Sequence, residues 1–157
     1  MIQRKAYDSL MRLSSQFPVI AVTGPRQSGK STLVQYAFPG KRLVSFDDKN
    51  LRELAKSNPG DFIRAFSDGV IIDEAQKVPE IFDAIKLVVD SGPYVPGKYI
   101  LTGSSQFRLR QNISDSLAGR VGILKLLPFS IQELRDANIL GNDPYEVFFK
   151  GFYPPLH

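Results

Sequence analysis

The 157 residues include no cysteine and a single histidine, His157, at the last position. Without thiols there is no disulfide scaffold, no thiolate zinc site and no cysteine nucleophile. One histidine removes any His-rich metal site and a Ser-His-Asp triad of the usual kind. No apolar run approaches the roughly 20 residues that a membrane span needs, and no long apolar stretch follows the charged N-terminus. Internal repeats and low-complexity tracts are missing too. Charge of one sign is in small excess: 20 Lys and Arg face 16 Asp and Glu, a formal +4 spread along the chain. That permits a nucleic-acid partner without arguing for one. With 43% hydrophobic and 23% charged residues, the composition is close to that of an average globular chain, which disfavours disorder and fibrous structure. The length suits one domain. These bounds describe a single soluble domain of the cytoplasm.

What is there alternates. Ile2, Ala6, Leu10 and Leu13 share one helical face over residues 2–15, and Pro18 ends that helix. Residues 19–22 are continuously apolar, as a strand buried on both faces requires. A Gly-rich turn, a helix over 30–37, a strand over 42–46 and a helix over 50–57 follow, with Asn50 and Glu53 spaced as a capping box. Asp61 is placed to cap a short helix through residue 66. Residues 70–72 form the third strand, Pro79 opens a helix whose Ile81, Ile85 and Val88 share a face, and 99–101 form the fourth strand. Leu109, Ile113 and Leu117 mark another helix before a fifth strand over 121–127. Beyond Pro128 only helices are predicted, with Ser130 and Glu133 as one capping box and Asp143, Pro144 and Glu146 as another helix start. Five strands alternating with helices predict an α/β fold: a parallel sheet with helices on both faces, joined by right-handed crossovers. Ligands of such sheets sit at the carboxyl ends of the strands.

Two motifs fall at those ends. Gly24-Pro25-Arg26-Gln27-Ser28-Gly29-Lys30-Ser31 fits G-x-x-x-x-G-K-S, the P-loop pattern, with Thr32 next to it. Consecutive backbone N–H groups leading into a helix N-terminus suit a polyphosphate anion. Gly24 and Gly29 allow the angles and close approach this requires. Lys30 supplies a cation for the β- and γ-phosphates, and the Ser31 hydroxyl can complete a Mg²⁺ shell. Arg26 has two readings, a phosphate or neighbouring-subunit contact and a solvated side chain, and Gln27 and Ser28 contribute their loop amides. The second motif is Val70-Ile71-Ile72-Asp73-Glu74, an apolar strand ending in two acids. Asp73 is placed to hold Mg²⁺ through water, and Glu74 to act as general base for an attacking water. Gln76 has a water-orienting role as one reading, with helix capping or exposure favoured over it.

The tip of the fourth strand, Thr102-Gly103-Ser104-Ser105, lies between the two motifs if the strand order is 5-1-4-3-2. A polar residue there can sense the γ-phosphate; Ser104 is favoured over Thr102 and Ser105, against the alternative of a helix cap. Arg120, just before the fifth strand, is a candidate for delivery to a γ-phosphate in trans, against a surface role. Arg108 and Arg110 are weaker candidates, and Asp47 and Asp48 are expected to cap or solvate their turn.

Taken in order, GPRQSGKSTLV, VIIDEAQKVPEIF, YILTGSSQF, LAGR and LPFSIQEL resemble the prokaryotic AAA-type P-loop ATPases, specifically the family numbered fourteen among AAA domains. The resemblance runs from about residue 17 to residue 152. It implies a single AAA-type ATPase domain over 1–157: an N-terminal helix (1–16), a nucleotide-binding core (17–128) and an incomplete helical lid or linker (129–157). It implies ATP/ADP and Mg²⁺ as ligands at Lys30, Ser31 and Asp73, hydrolysis with Glu74 and sensing at Ser104. By analogy with the wider AAA class, Arg120 matches an arginine finger, which implies a homo-oligomer. Members usually continue into a C-terminal domain sometimes likened to nucleases, so the chain reads as a fragment, a truncated product or an expressed domain, with low activity in isolation. Hydrolysis would then act as switch or motor for that effector domain or another partner. The alternative is a nucleotide- or nucleic-acid-binding module with little turnover; DNA binding has no recognition motif behind it. A small-molecule kinase is disfavoured by Glu74, which suits activation of water. A GTPase is disfavoured because no N-K-x-D string occurs.

Overall fold

The computed structural model describes residues 2–104, 106–139 and 151–154. Its centre is a sheet of five parallel strands: β1 (Val19–Thr23), β2 (Arg42–Ser45), β3 (Val70–Asp73), β4 (Tyr99–Gly103) and β5 (Val121–Lys125). Their order is β2-β3-β4-β1-β5, the one expected from the sequence. The helices are α1 (Ala6–Gln16), α2 (Lys30–Ala37), α3 (Lys49–Ser57), α4 (Pro59–Arg64), α5 (Glu80–Ser91), α6 (Gln106–Ser116) and α7 (Ile131–Asp136). No described helix is long and apolar enough to cross a membrane.

Strand periodicity divides the core. Val19, Ala21, Val70, Ile72, Tyr99 and Leu101 turn to one face, where Ile81, Phe82 and Ile85 of α5 and Leu109 and Ile113 of α6 cover them. Ile20, Val22, Ile71 and Ile100 turn to the other, under Leu10 of α1 and Leu33 and Val34 of α2. Burial on both faces explains why these strands read as unbroken apolar runs. β1 lies between β4 and β5, with Val19 level with both Tyr99 and Val121. At Gly122 of β5 a Cβ would sit 2.9 Å from Phe17 Cδ2 and 3.0 Å from Leu13 Cδ2. Gly122→Val is therefore expected to lower stability by about 1–3 kcal/mol through overpacking. Urea unfolding measures it, and an unchanged midpoint contradicts this account of the α1–β5 contact.

Local signals differ from expectation in several places. Asp48, not Asn50, caps α3: its carboxylate accepts from the Asn50 N–H at 2.8 Å and the Leu51 N–H at 3.2 Å. The helix starts one residue earlier than expected, which leaves Glu53 exposed and paired with Lys56. Asn58 rather than Asp61 caps α4, because Pro59 occupies the first turn; Asp61 pairs with Arg64 instead, and the helix stops at Arg64. Helix α1 starts at Ala6, because the chain before it is pulled into contact with α7. β5 ends at Lys125, where Leu126 N–H still reaches Thr23 O at 2.7 Å. The Ser130–Glu133 capping box forms as expected, while Asp143, Pro144 and Glu146 lie outside the described residues.

Candidate active site

The turn between β1 and α2 is shaped by two left-handed residues, Gln27 (φ 61°) and Gly29 (φ 86°). At Gly24 a Cβ would stand 2.1 Å from the Leu126 carbonyl oxygen, so the close passage of the β5 extension demands glycine. Lys30 folds back over the turn and is 6% exposed; its Nζ donates to Gly24 O at 3.1 Å and Pro25 O at 2.7 Å. Burial pushes its pKa below the ordinary lysine value, Glu74 and Asp73 oppose that shift, and Arg26 adds to it. Ser28 is fully buried, and its Oγ has no hydrogen-bond partner.

The two acids stand opposite. Asp73 Oδ1 accepts from Ser31 Oγ at 3.1 Å and from the Thr102 hydroxyl. Strand pairing brings this about, because β3 and β4 end side by side and β1 delivers the turn next to them. Glu74 is left-handed (φ 55°), a conformation costing about 1–3 kcal/mol for a residue with a Cβ. Its Oε2 accepts from Ser104 Oγ at 2.9 Å and from Gln76 Nε2. Gln76 is 8% exposed, so it is neither a helix cap nor a surface residue as favoured from sequence. Its Oε1 is buried without a partner beside Gly103, where a Cβ would come within 2.3 Å of it.

A cleft of about 470 Å³ opens between these groups, bordered by Arg26, Gln27, Gly29, Lys30, Ser31, Thr32, Asp47 and Glu74. An adjoining cavity of about 840 Å³ shares Gly29 and Thr32 and has Ile2, Leu33, Phe129 and Ile139 among its walls. Gly24, Pro25 and Ser28 belong to the same turn without lining the cleft, and Asp73 and Ser104 reach its walls through Ser31 and Glu74. Arg26 is exposed on its rim. Asp47 pairs with Lys77 Nζ, and Asp48 is the α3 cap. Arg120 is not brought to this cleft. It precedes β5, its carbonyl accepts from Val19 N–H, and its guanidinium holds Asp90 through two nitrogens and the Ala118 carbonyl at 2.9 Å. That is the amino edge of the sheet, opposite the cleft. Arg110 is exposed; Ser105 and the Arg108 side chain lie outside the described residues.

Sequence reasoning did not find Arg4. This residue, 8% exposed, joins three segments. Its Nε meets Glu133 Oε1 at 3.1 Å, its Nη1 donates to Ser28 O at 2.8 Å, its Nη2 donates to Leu127 O at 2.6 Å, and its guanidinium lies 4.6 Å from the centre of the Phe129 ring. Glu133 also accepts from the backbone of Lys5 and Ser130. The Ser-x-x-Glu spacing signalled a cap, and nothing local announced a partner at the far end of the chain. Burial by itself would raise the Glu133 pKa, but the Ser130 and Lys5 amides and the Arg4 guanidinium outweigh it and leave the carboxyl below the usual glutamate value. A carboxylate depressed in the fold contributes stability above its unfolded pKa and loses it as pH falls through the folded one. Thermal stability is therefore expected to drop in that acid range more steeply than in Glu133→Gln. Parallel pH profiles for the two proteins contradict this.

Three comparisons place this geometry. Residues 16–135 match the family model described as AAA domain, the fourteenth of that series. Uncharacterised proteins of Mycobacterium bovis and Mycobacterium tuberculosis are each 32% identical over 154 residues, 98% of this chain and 34% of theirs. The chain thus spans about a third of the length of these curated relatives. Among solved structures, the Walker-type ATPase PABY2304 of Pyrococcus abyssi superposes with a TM-score of 0.65 at 18% identity, covering 98% of this chain and 65% of that one; this similarity concerns the fold. With the matched segment spanning the turn before α2, the acids at the end of β3 and the capping box of α7, the chain belongs to the AAA domain family of nucleotide-binding P-loop ATPases.

Proposed function

We propose that the chain binds ATP with Mg²⁺ in the cleft and hydrolyses it, and that hydrolysis serves as switch or motor for a C-terminal effector domain or another partner. The observation that carries this reading is the meeting of Lys30, the Ser31–Asp73 pair and the Ser104–Glu74 pair around one opening at the carboxyl ends of β1, β3 and β4. Lys30 holds the phosphates; its present acceptors, two loop carbonyls, are exchangeable for phosphate oxygens. Ser31 and Asp73 fit Mg²⁺, since both offer oxygen, they already touch, and the Thr102 hydroxyl fixes the carboxylate. The ion neutralises phosphate charge when bound. Glu74 takes the proton of the water that attacks the γ-phosphorus, with Ser104 and Gln76 holding its carboxylate meanwhile. The adjoining cavity, with walls of Ile2, Leu33 and Ile139, accommodates the nucleoside.

Arg120 is proposed as an arginine finger in trans. Its position on the rim opposite its own cleft supports a neighbouring copy as the recipient, and its release from Asp90 must accompany assembly. Arg120→Ala is expected to leave ATP affinity unchanged and lower turnover only at protein concentrations where copies associate. Turnover per chain that is flat with concentration in both proteins contradicts that role.

Isothermal titration of the folded chain with Mg-ATP, followed by phosphate release under multiple turnover, tests the main reading. Heat of binding with release of phosphate supports it. Binding without release transfers support to a nucleotide-binding module with little turnover, which the engagement of Glu74 Oε2 by two donors favours. Absence of binding ends both.

A further inference from the structure

The contact between Arg4 and the turn falls on one particular peptide unit. Arg4 Nη1 donates to the Ser28 carbonyl at 2.8 Å. That carbonyl and the Gly29 N–H belong to the same planar trans unit, so fixing one end of the plane fixes the other, and the C=O and N–H bonds point in opposite directions. The guanidinium stands beside this unit: a Cβ on Gly29 would lie 3.3 Å from Nη1, and both residues line the adjoining cavity. Gly29 itself borders the cleft that holds Lys30 and Ser31. Its φ of 86° belongs to a residue with unusual rotational freedom, which makes an external hold on the plane consequential.

We propose that Arg4 is a positioning residue of the phosphate cradle, setting the Ser28–Gly29 peptide so that its N–H faces the bound phosphates, and that the Arg4–Glu133 pair makes this hold depend on the docking of α7. The inference rests on the polyphosphate reading of the cleft and goes beyond it. The Arg4 side chain is shared: three of its bonds go to Glu133, Leu127 and Ser28, in three separate segments. Glu133 is in turn fixed by the Lys5 and Ser130 amides. A displacement of α7 thus moves Glu133, then the guanidinium, then the amide facing the cleft. Linkage makes the effect reciprocal: phosphate that engages the Gly29 amide favours a docked α7 by the same factor.

Arg4→Lys separates this role from plain charge, because an ammonium keeps the cation beside Phe129 but cannot bond Glu133, Leu127 and Ser28 together. Two readouts are taken on the 157-residue chain, with circular dichroism to establish folding: the Gly29 amide resonance without nucleotide, and the affinity for Mg-ATP by calorimetry. The Gly29 resonance is expected to move, and affinity to fall about tenfold, the scale of one charge-assisted hydrogen bond. Maximal turnover at saturating ATP stays unchanged, because Glu74 is untouched; a merely structural defect would lower stability without this split between KM and kcat. Glu133→Gln, which keeps the side-chain volume, is expected to shift both readouts in the same direction by less, and it carries the test if Arg4→Lys does not fold. In the unsubstituted chain Mg-ATP is expected to slow hydrogen exchange of the α7 amides, and to do so less in Glu133→Gln. Wild-type affinity in both variants, with or without a moved resonance, overturns the proposal while leaving the ATP reading intact. No binding of Mg-ATP by the unsubstituted chain overturns the ATP reading, and this inference with it.

Discussion

Glu74→Gln is expected to bind Mg-ATP as the parent chain does and to release phosphate about 10²- to 10⁴-fold more slowly, the usual contribution of a positioned general base. The amide keeps the size and left-handed backbone of Glu74, and its oxygen still accepts from Ser104 and Gln76. What it loses is the capacity to take a proton from water. Binding is expected to be preserved because the proposed phosphate contacts belong to the β1–α2 turn, and removal of a carboxylate from the cleft lessens repulsion of the nucleotide. Quench-flow phosphate release beside calorimetric affinity measures the two quantities separately. Equal turnover in the two proteins removes Glu74 from the reaction; loss of affinity together with turnover makes it a binding or folding residue.

Lys30→Ala is expected to weaken Mg-ATP binding by about 10²-fold, since a hydrogen-bonded charge of this kind contributes about 1.5–3 kcal/mol. The ammonium is nearly buried and already faces the two acids that act on its pKa, so its field reaches the cleft through little water. Truncation leaves Gly24 O and Pro25 O to be hydrated through the open cleft, so the fold is expected to survive. The depressed Lys30 pKa adds a pH signature. A bound polyphosphate draws that pKa back up, so affinity is expected to decline as alkaline pH deprotonates the free protein's lysine, and that decline disappears in Lys30→Ala. Calorimetry across the alkaline range reads both effects. A variant that binds as tightly as the parent contradicts the cradle assignment.

Much of this arrangement was legible because its signals are local. Residues 19–22, 70–72 and 99–101 announced buried parallel strands by unbroken apolarity, and all three are fully buried or nearly so. The Gly24–Ser31 spacing announced its turn through the angles and close approaches it needs, and the acids at the end of β3 announced themselves by following an apolar run. Element ends were harder. Asp48 outcompeted Asn50 because a carboxylate one residue before the helix reaches two free amides, a choice decided by a single residue of phase. Gln76 is buried against Glu74 rather than capping or exposed, and the Thr102–Asp73 bond arises from strand pairing; neither turn geometry nor pairing is specified by spacing alone. Arg4 was invisible for a related reason. Its acceptors are backbone carbonyls of Ser28 and Leu127 and a glutamate already accounted for as a cap, so no residue-type pattern encoded the junction.

The central position of β1 also bears on how the molecule is made. Its neighbours are β4 and β5, so the strand that leads into the Gly-rich turn gains its flanking hydrogen bonds only after the chain through residue 125 has left the ribosome. Pairings so distant along the chain close slowly and expose apolar strands in the interval. The Leu126 carbonyl that crowds Gly24 arrives later still. Nucleotide in the cell therefore has nothing to grip on a nascent chain, and its stabilising effect is confined to the finished fold. Early protection of β1 falls to the short-range helices α1 and α2, which pack beside it and can form before the sheet does.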